Sequence, residues 1–240
     1  MSDELKLPEI NTPQVHDLLQ IEADSHTAGA VAQPPWVRET LICCPWVVVR
    51  RGRPLAGQIA VGVRGATRSE RWGGFCSERL IKKMVRPEEL LAISRSSSTH
   101  IDRTPALKAL REVIESWRDL TLPWGPTGSV GFELATGRPV TTQGSDLDLV
   151  IYATDQLDAK QAWSLWGRVT GMQAKVDVRV ETPHCGFSLE EYVRASTARI
   201  LLRYPEDLRL GDDPWGDDSW LARTRERSIV HASITEVAAS

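Results

Sequence analysis

The sequence predicts an α+β protein. A C-terminal domain with a small mixed sheet flanked by helices follows a smaller, strand-containing N-terminal domain. Three observations lead there. Between residues 104 and 210, segments with helical spacing interleave with segments that alternate like strands. In the first half, short apolar runs such as Trp46–Val49 are bounded by turn residues. The composition of the 240 residues, 41% hydrophobic and 25% charged, is ordinary for a globular chain and allows one large domain or two small ones.

The elements follow in order. His16–Glu22 reads as a short helix, Pro34-Pro35-Trp36 as a break, and Trp46–Val49 as a strand. Arg50-Arg51-Gly52-Arg53-Pro54 is a basic turn, and Gln58–Val63 alternates weakly before Arg64-Gly65. The four serines of Ala92–Arg103 suggest a linker, so residues 1–95 form the first domain. Thr104 is an N-cap with Pro105 at the first helical position, and Leu107, Leu110, Val113, Ile114 and Trp117 keep helical spacing until Pro123. Gly125–Gly137 is punctuated by glycine, with a strand expected at Val130–Leu134. Asp146–Tyr152 reads as a strand, Asp158–Thr170 as a helix closed by Gly171, and Lys175–Glu181 as a cleanly alternating strand. Ser188 with Glu191 marks a capping box that opens a helix through Leu202. The domain ends near residue 210, and residues 211–240 are an acidic tail with a short last helix.

Charge and composition narrow the function. A net charge of −3 gives no global case for nucleic-acid or membrane binding. The longest uncharged apolar run, from Leu41 to Arg50, is far short of the roughly 20 residues of a membrane span. Met1–Glu9 lacks the apolar core of a signal peptide, so a soluble, cytoplasmic protein is expected. Cys43, Cys44, Cys76 and Cys185 show no paired metal-ligand spacing and are expected to be reduced and structural, which argues against a zinc protein.

The chemistry concentrates in Gly144-Ser145-Asp146-Leu147-Asp148-Leu149. On a strand, Asp146 and Asp148 project to one side, about 7 Å apart, while Leu147, Leu149 and Ile151 anchor the other. Two carboxylates on one buried face repel each other and lose hydration; a divalent cation relieves both, and hard oxygen ligands favour Mg²⁺. Lys175-Val176-Asp177-Val178-Arg179-Val180-Glu181 puts Asp177 on a polar face, from which it could complete a three-carboxylate cluster. Gly128-Ser129 lies ahead of both, small enough for backbone N–H groups to approach a phosphate chain. Each part alone is also what a half-exposed strand, an amphipathic edge strand or a glycine turn would show.

Together, Gly-Ser, Asp-x-Asp and a third aspartate on a later strand resemble the nucleotidyltransferase superfamily, the polymerase-β-like fold, over about Thr104–Arg203. The wording is closer still. Trp124-Gly125, Gly128-Ser129, Gly131-Phe132, Leu134-Ala135-Thr136-Gly137 and Ser145-Asp146-Leu147-Asp148-Leu149 look like the phosphoribosyl-dephospho-CoA transferases of malonate decarboxylase. In the first half, His16-Asp17-Leu18-Leu19, Pro35-Trp36-Val37, Val47–Arg51 and Val61–Gly65 with Arg68 and Arg71 agree, extending the resemblance to about residues 14–210.

The resemblance implies that Asp146 and Asp148 ligate two metals, that Asp177 ligates the one nearer the nucleophile, and that Gly128 and Ser129, with Ser145 nearby, touch the triphosphate. The implied donor is 2'-(5''-triphosphoribosyl)-3'-dephospho-CoA, and the acceptor is a serine of the decarboxylase's acyl-carrier subunit, with pyrophosphate leaving. Arginines are expected beside so much phosphate: Arg64, Arg68 and Arg71 would share a helical face if a helix began near Gly65, and are otherwise a solvated charged face. His184 follows the third carboxylate strand and is either a capped loop residue or a site-lining one. Two readings compete: a nucleotidyltransferase that adenylylates a small molecule or protein, and a non-catalytic binding module of the same fold.

Overall fold

In a computed structural model that describes residues 12–22, 33–67, 69–96, 103–195 and 199–216, the chain is α+β and builds two sheets. The first has five antiparallel strands: β1 (Leu18–Ile21), β2 (Trp46–Val49), β3 (Gln58–Arg64), β4 (Arg71–Ser77) and β5 (Ile81–Val85), in the order β4-β3-β2-β1-β5. The expected helix at His16–Glu22 is therefore β1. It lies between β2 and β5 with both faces covered, Leu19 and Ile21 in one apolar cluster and Leu18 in another. Burial on both sides removes the alternation by which a strand is recognised. Helix α1 (Pro35–Cys43) buries Val37 and Leu41 against this sheet.

Helix α2 (Pro87–Ser96) continues through the first residues of the expected serine linker; the rest of that linker lies outside the described residues. In α3 (Pro105–Ser116) the Thr104 hydroxyl accepts from the Leu107 N–H, as the sequence suggests. Leu107, Leu110, Val113 and Ile114 sit in the core against the second sheet.

That sheet has six strands, β6 (Trp124–Pro126), β7 (Leu147–Tyr152), β8 (Val176–Glu181), β9 (Gly186–Ser188), β10 (Ile200–Arg203) and β11 (Leu208–Gly211), ordered β11-β10-β9-β8-β7-β6. It is mixed: β7 and β8 run parallel, joined through α5 (Ala159–Gly167), and the other pairings are antiparallel. Leu147, Leu149, Ile151, Val176, Val178 and Val180 fill one face with the helices.

Three expectations are corrected here. Val130–Leu134 is not a strand but the middle of α4 (Gly128–Thr136). This helix is wedged between the two halves, with Val130 in the core of the second sheet and Phe132, Leu134 and Ala135 against Leu18, Trp46 and Leu90. With apolar neighbours on both sides it has no wet face to announce its period. The helix capped by Ser188, α6 (Leu189–Arg194), ends eight residues before Leu202, and Ile200–Arg203 forms β10 instead. Leu208–Gly211 pairs with it as β11, so the segment expected as tail from residue 211 starts within a strand; the rest of it from residue 217, where the short last helix is expected, lies outside the described residues.

All four cysteines are free, and all but Cys43 are buried. No described helix is long and apolar enough to cross a membrane.

Candidate active site

The carboxylates gather where β7 and β8 begin. Parallel pairing sets Asp148 directly beside Asp177, both half-buried on the face opposite Leu149 and Val178. Asp146 stands one residue before β7, two before Asp148. Its charge and that of Asp177 are felt at Asp148: burial first, then Asp177, then Asp146 push the Asp148 carboxyl above its usual 3.8, against Arg179 and Arg71. Of the three aspartates named from the sequence, Asp148 and Asp177 are thus side by side, with Asp146 near enough for its charge to act on Asp148.

The Gly-Ser pair is on a helix, not on a turn before a strand. Pro126 pairs with Leu149 at the end of β6, and the Thr127 N–H donates to the Asp148 carbonyl at 2.8 Å, carrying the ladder up to the start of α4. Gly128 then takes φ +57°, and a Cβ there would overlap the Asp148 carboxylate. Only a glycine lets the first turn of α4 approach the aspartate this closely. Ser129 is buried in that turn. Ser145 acts locally, its Oγ accepting from the Thr142 N–H at 2.9 Å and so shaping the loop before Asp146.

The arginines divide. Among the described residues no helix begins near Gly65, the condition for a shared helical face; Arg64 and Arg71 are cross-strand partners closing the β3–β4 hairpin. Arg71 is near enough to Asp148 to lower its pKa, whereas Arg64 lines a separate cavity of about 340 Å³ with Cys43, Phe132 and Arg138. Arg68 lies outside the described residues. His184 sits in a loop whose N–H groups are held by the Thr182 hydroxyl, in keeping with the plainer of its two readings.

Several contributors carried no signal of their own in the sequence. Glu133, buried on α4, accepts from the N–H groups of Val140 and Thr141 at 2.9 and 2.7 Å and from Arg103 at 2.6 Å, tying down the loop that leads to Asp146. Burial would raise its pKa, but these hydrogen bonds turn the net shift downward. Arg179 donates to Asp177 at 3.1 Å. Glu181 joins the halves: His16 Nε2 lies 2.9 Å from it, and Arg51 pairs with it over Gly186.

The donor set fits a hard divalent cation, since uncompensated carboxylate charge at Asp148 is what such an ion neutralises. Among the described residues no group of three such ligands is close enough together to coordinate one ion, and Asp177 pairs with Arg179.

With this geometry in view, family comparison gives one answer for both halves of the chain. Residues 14–87 match the phosphoribosyl-dephospho-CoA transferase MdcG N-terminal domain, and residues 91–214 its C-terminal domain. Phosphoribosyl-dephospho-CoA transferases of Pseudomonas putida and Klebsiella pneumoniae (strain 342) are 37% and 35% identical, over 86% and 85% of this chain and 97% of each relative. The Pseudomonas aeruginosa enzyme of that name is 34% identical over 85% of the chain and 94% of its own length. No solved structure matches. The protein is a transferase. It belongs to the phosphoribosyl-dephospho-CoA transferase family.

Proposed function

We propose that the protein moves the phosphoribosyl-dephospho-CoA group from 2'-(5''-triphosphoribosyl)-3'-dephospho-CoA onto a serine of the malonate decarboxylase acyl-carrier subunit in the cytoplasm, with release of pyrophosphate. The observation that carries this reading is the contact of Gly128, at the start of α4, with an Asp148 that stands in register with Asp177. A helix start offers N–H groups to the leaving phosphates. The adjacent carboxylates would lie beside the α-phosphate that the acceptor hydroxyl attacks.

Asp146, Asp148 and Asp177 would hold Mg²⁺, which when bound would stabilise charge on the reacting phosphate and ease deprotonation of the serine. The chain's own residues do the rest. Gly128 and Ser129 seat the triphosphate tail, and Ser145 keeps Asp146 in position. Arg71 adds positive charge beside Asp148 from the N-terminal half, while its cross-strand partner Arg64 lines the separate cavity and Arg68 lies between them in sequence. The serine's oxygen forms the new phosphodiester bond, the bond to pyrophosphate breaks, and the serine proton passes to solvent or to Asp177.

Intact-mass measurement of the purified carrier subunit tests this. Incubation with the protein, Mg²⁺ and the triphosphoribosyl donor is expected to add the mass of phosphoribosyl-dephospho-CoA. EDTA, Asp146→Ala or Asp148→Ala is expected to abolish the gain, by at least about 10³-fold in rate. A gain with ATP alone would move the function to adenylylation, and no gain at all would refute the transfer.

A further inference from the structure

Beyond the aspartates, the same face of the second sheet, partly covered by the N-terminal half, carries three guanidinium groups in a small area. Side-chain alternation puts Asp177, Arg179 and Glu181 on that face. Arg203 shares it, because it pairs with Gly186, which pairs in turn with Glu181. Arg51 enters from the N-terminal half through the space that Gly186 leaves empty.

The carboxylates present do not satisfy this group. Glu181 is engaged by Arg51 and His16, and Asp177 by Nη2 of Arg179. Arg179 Nη1 and Arg203 Nη1 are both buried without an acceptor. Arg203 carries the crowding: burial first, then the charge of Arg179, lower its pKa, and Arg51 adds to this against Glu191 and Asp177. Unmet guanidinium donors and neighbouring like charges both cost free energy, and one bound anion removes both costs. Guanidinium edges match pairs of phosphate oxygens.

The position distinguishes this place from the leaving-group side. Gly128 approaches Asp148 from α4, which follows β6, whereas Arg203 lies on β10, two strands beyond β8 in the other direction. At the usual strand spacing that is about 10 Å from the Asp177 strand. We propose that Arg179 and Arg203 form a subsite for the diphosphate within the donor's dephospho-CoA portion, an assignment that rests on the donor proposed above. The subsite would recognise the part of the donor that stays attached to the carrier and would leave the departing pyrophosphate to α4.

Calorimetric titration of the full chain with 3'-dephospho-CoA in EDTA tests this without any reaction. Arg203→Gln and Arg179→Gln are each expected to weaken binding about tenfold or more. ADP, which keeps a diphosphate on adenosine, should lose affinity in parallel, and inorganic pyrophosphate much less. Unchanged dephospho-CoA affinity in both variants, or none in the wild type, would overturn the subsite. So would a loss confined to pyrophosphate. Melting temperatures monitor folding; if Arg203→Gln does not fold, Arg203→Lys is expected to fold and bind more weakly than wild type, and equal binding would count against the proposal. Transfer by the wild type is scored separately by mass. Transfer with unaltered dephospho-CoA binding in the variants would remove the subsite alone, and arginine-dependent binding without transfer would remove the proposed reaction alone.

Discussion

Gly128 has two reasons to be glycine, and they reinforce each other. Its left-handed backbone disfavours any side chain, and a Cβ would displace the Asp148 carboxylate. Gly128→Ala is therefore expected to cost about 1 kcal/mol or more of stability and to reduce transfer at least ~100-fold, because ligand placement fails before the fold does. Denaturant titration and carrier mass spectrometry on the same preparation check this; a variant with near-wild-type transfer would show that the close approach is dispensable. The residue was legible in the sequence through its place in Gly-Ser, and the three aspartates through their spacing. Arg179 and Arg203 were not, because a guanidinium on an alternating strand looks the same whether it is wet or lacks a partner.

At the scale of elements, α4 carries the most consequence, and its type was the least readable. Buried on two sides, it shows Val130, Phe132 and Leu134 in strand-like alternation, and only Gly137 with φ +69° marks its end. The β7–β8 pair was plain by contrast, since one face is aliphatic and the other charged. Between these elements lies the loop held by Glu133. Glu133→Ala leaves the Val140 and Thr141 N–H groups without their acceptor and Arg103 without its carboxylate, though still bonded to Thr141, at an expected cost of roughly 2–3 kcal/mol. Transfer should fall further than the stability loss explains, because the loop ends at Asp146. Thermal melts with single-turnover rates below the melting point separate the two effects, and an unaltered rate would mean that Asp146 is placed by β7 alone.

For the whole molecule, the two sheets share a wet-looking but closely fitted boundary that no local pattern revealed. Gly125 has no room for a Cβ beside the Pro87 carbonyl, Tyr152 donates to the Val15 carbonyl at 2.8 Å, and Asp17 is buried at 1% exposure, accepting from the Gln14 N–H at 2.8 Å. Burial raises the Asp17 pKa from 3.8 to about 6, against that hydrogen bond and Arg86. An acid whose folded pKa is raised binds more protons folded than unfolded, so its contribution is full below pH 3.8 and declines as pH rises to about 6. Asp17→Asn is expected to remove that decline, which amounts to ~3 kcal/mol for a shift of this size. Urea unfolding followed by tryptophan fluorescence at pH 4, 5, 6 and 7 would show it, and parallel pH profiles for wild type and variant would exclude it. Such a boundary joins residues more than a hundred positions apart, as Tyr152 and Val15 are, and this is why the sequence divided the chain into halves but did not show how they meet.

The pairing of β7 with β8 also bears on the order of folding. Parallel strands cannot close as a hairpin, so this pair closes only across the connection that contains α5. When they do meet, their register brings Asp148 against Asp177, and the chain performs the step against its own charge. The same two side chains that would organise the reaction therefore resist the assembly of the sheet that holds them. Protons or a divalent cation, by neutralising them, should ease that pairing, and refolding rates with and without Mg²⁺ would check it.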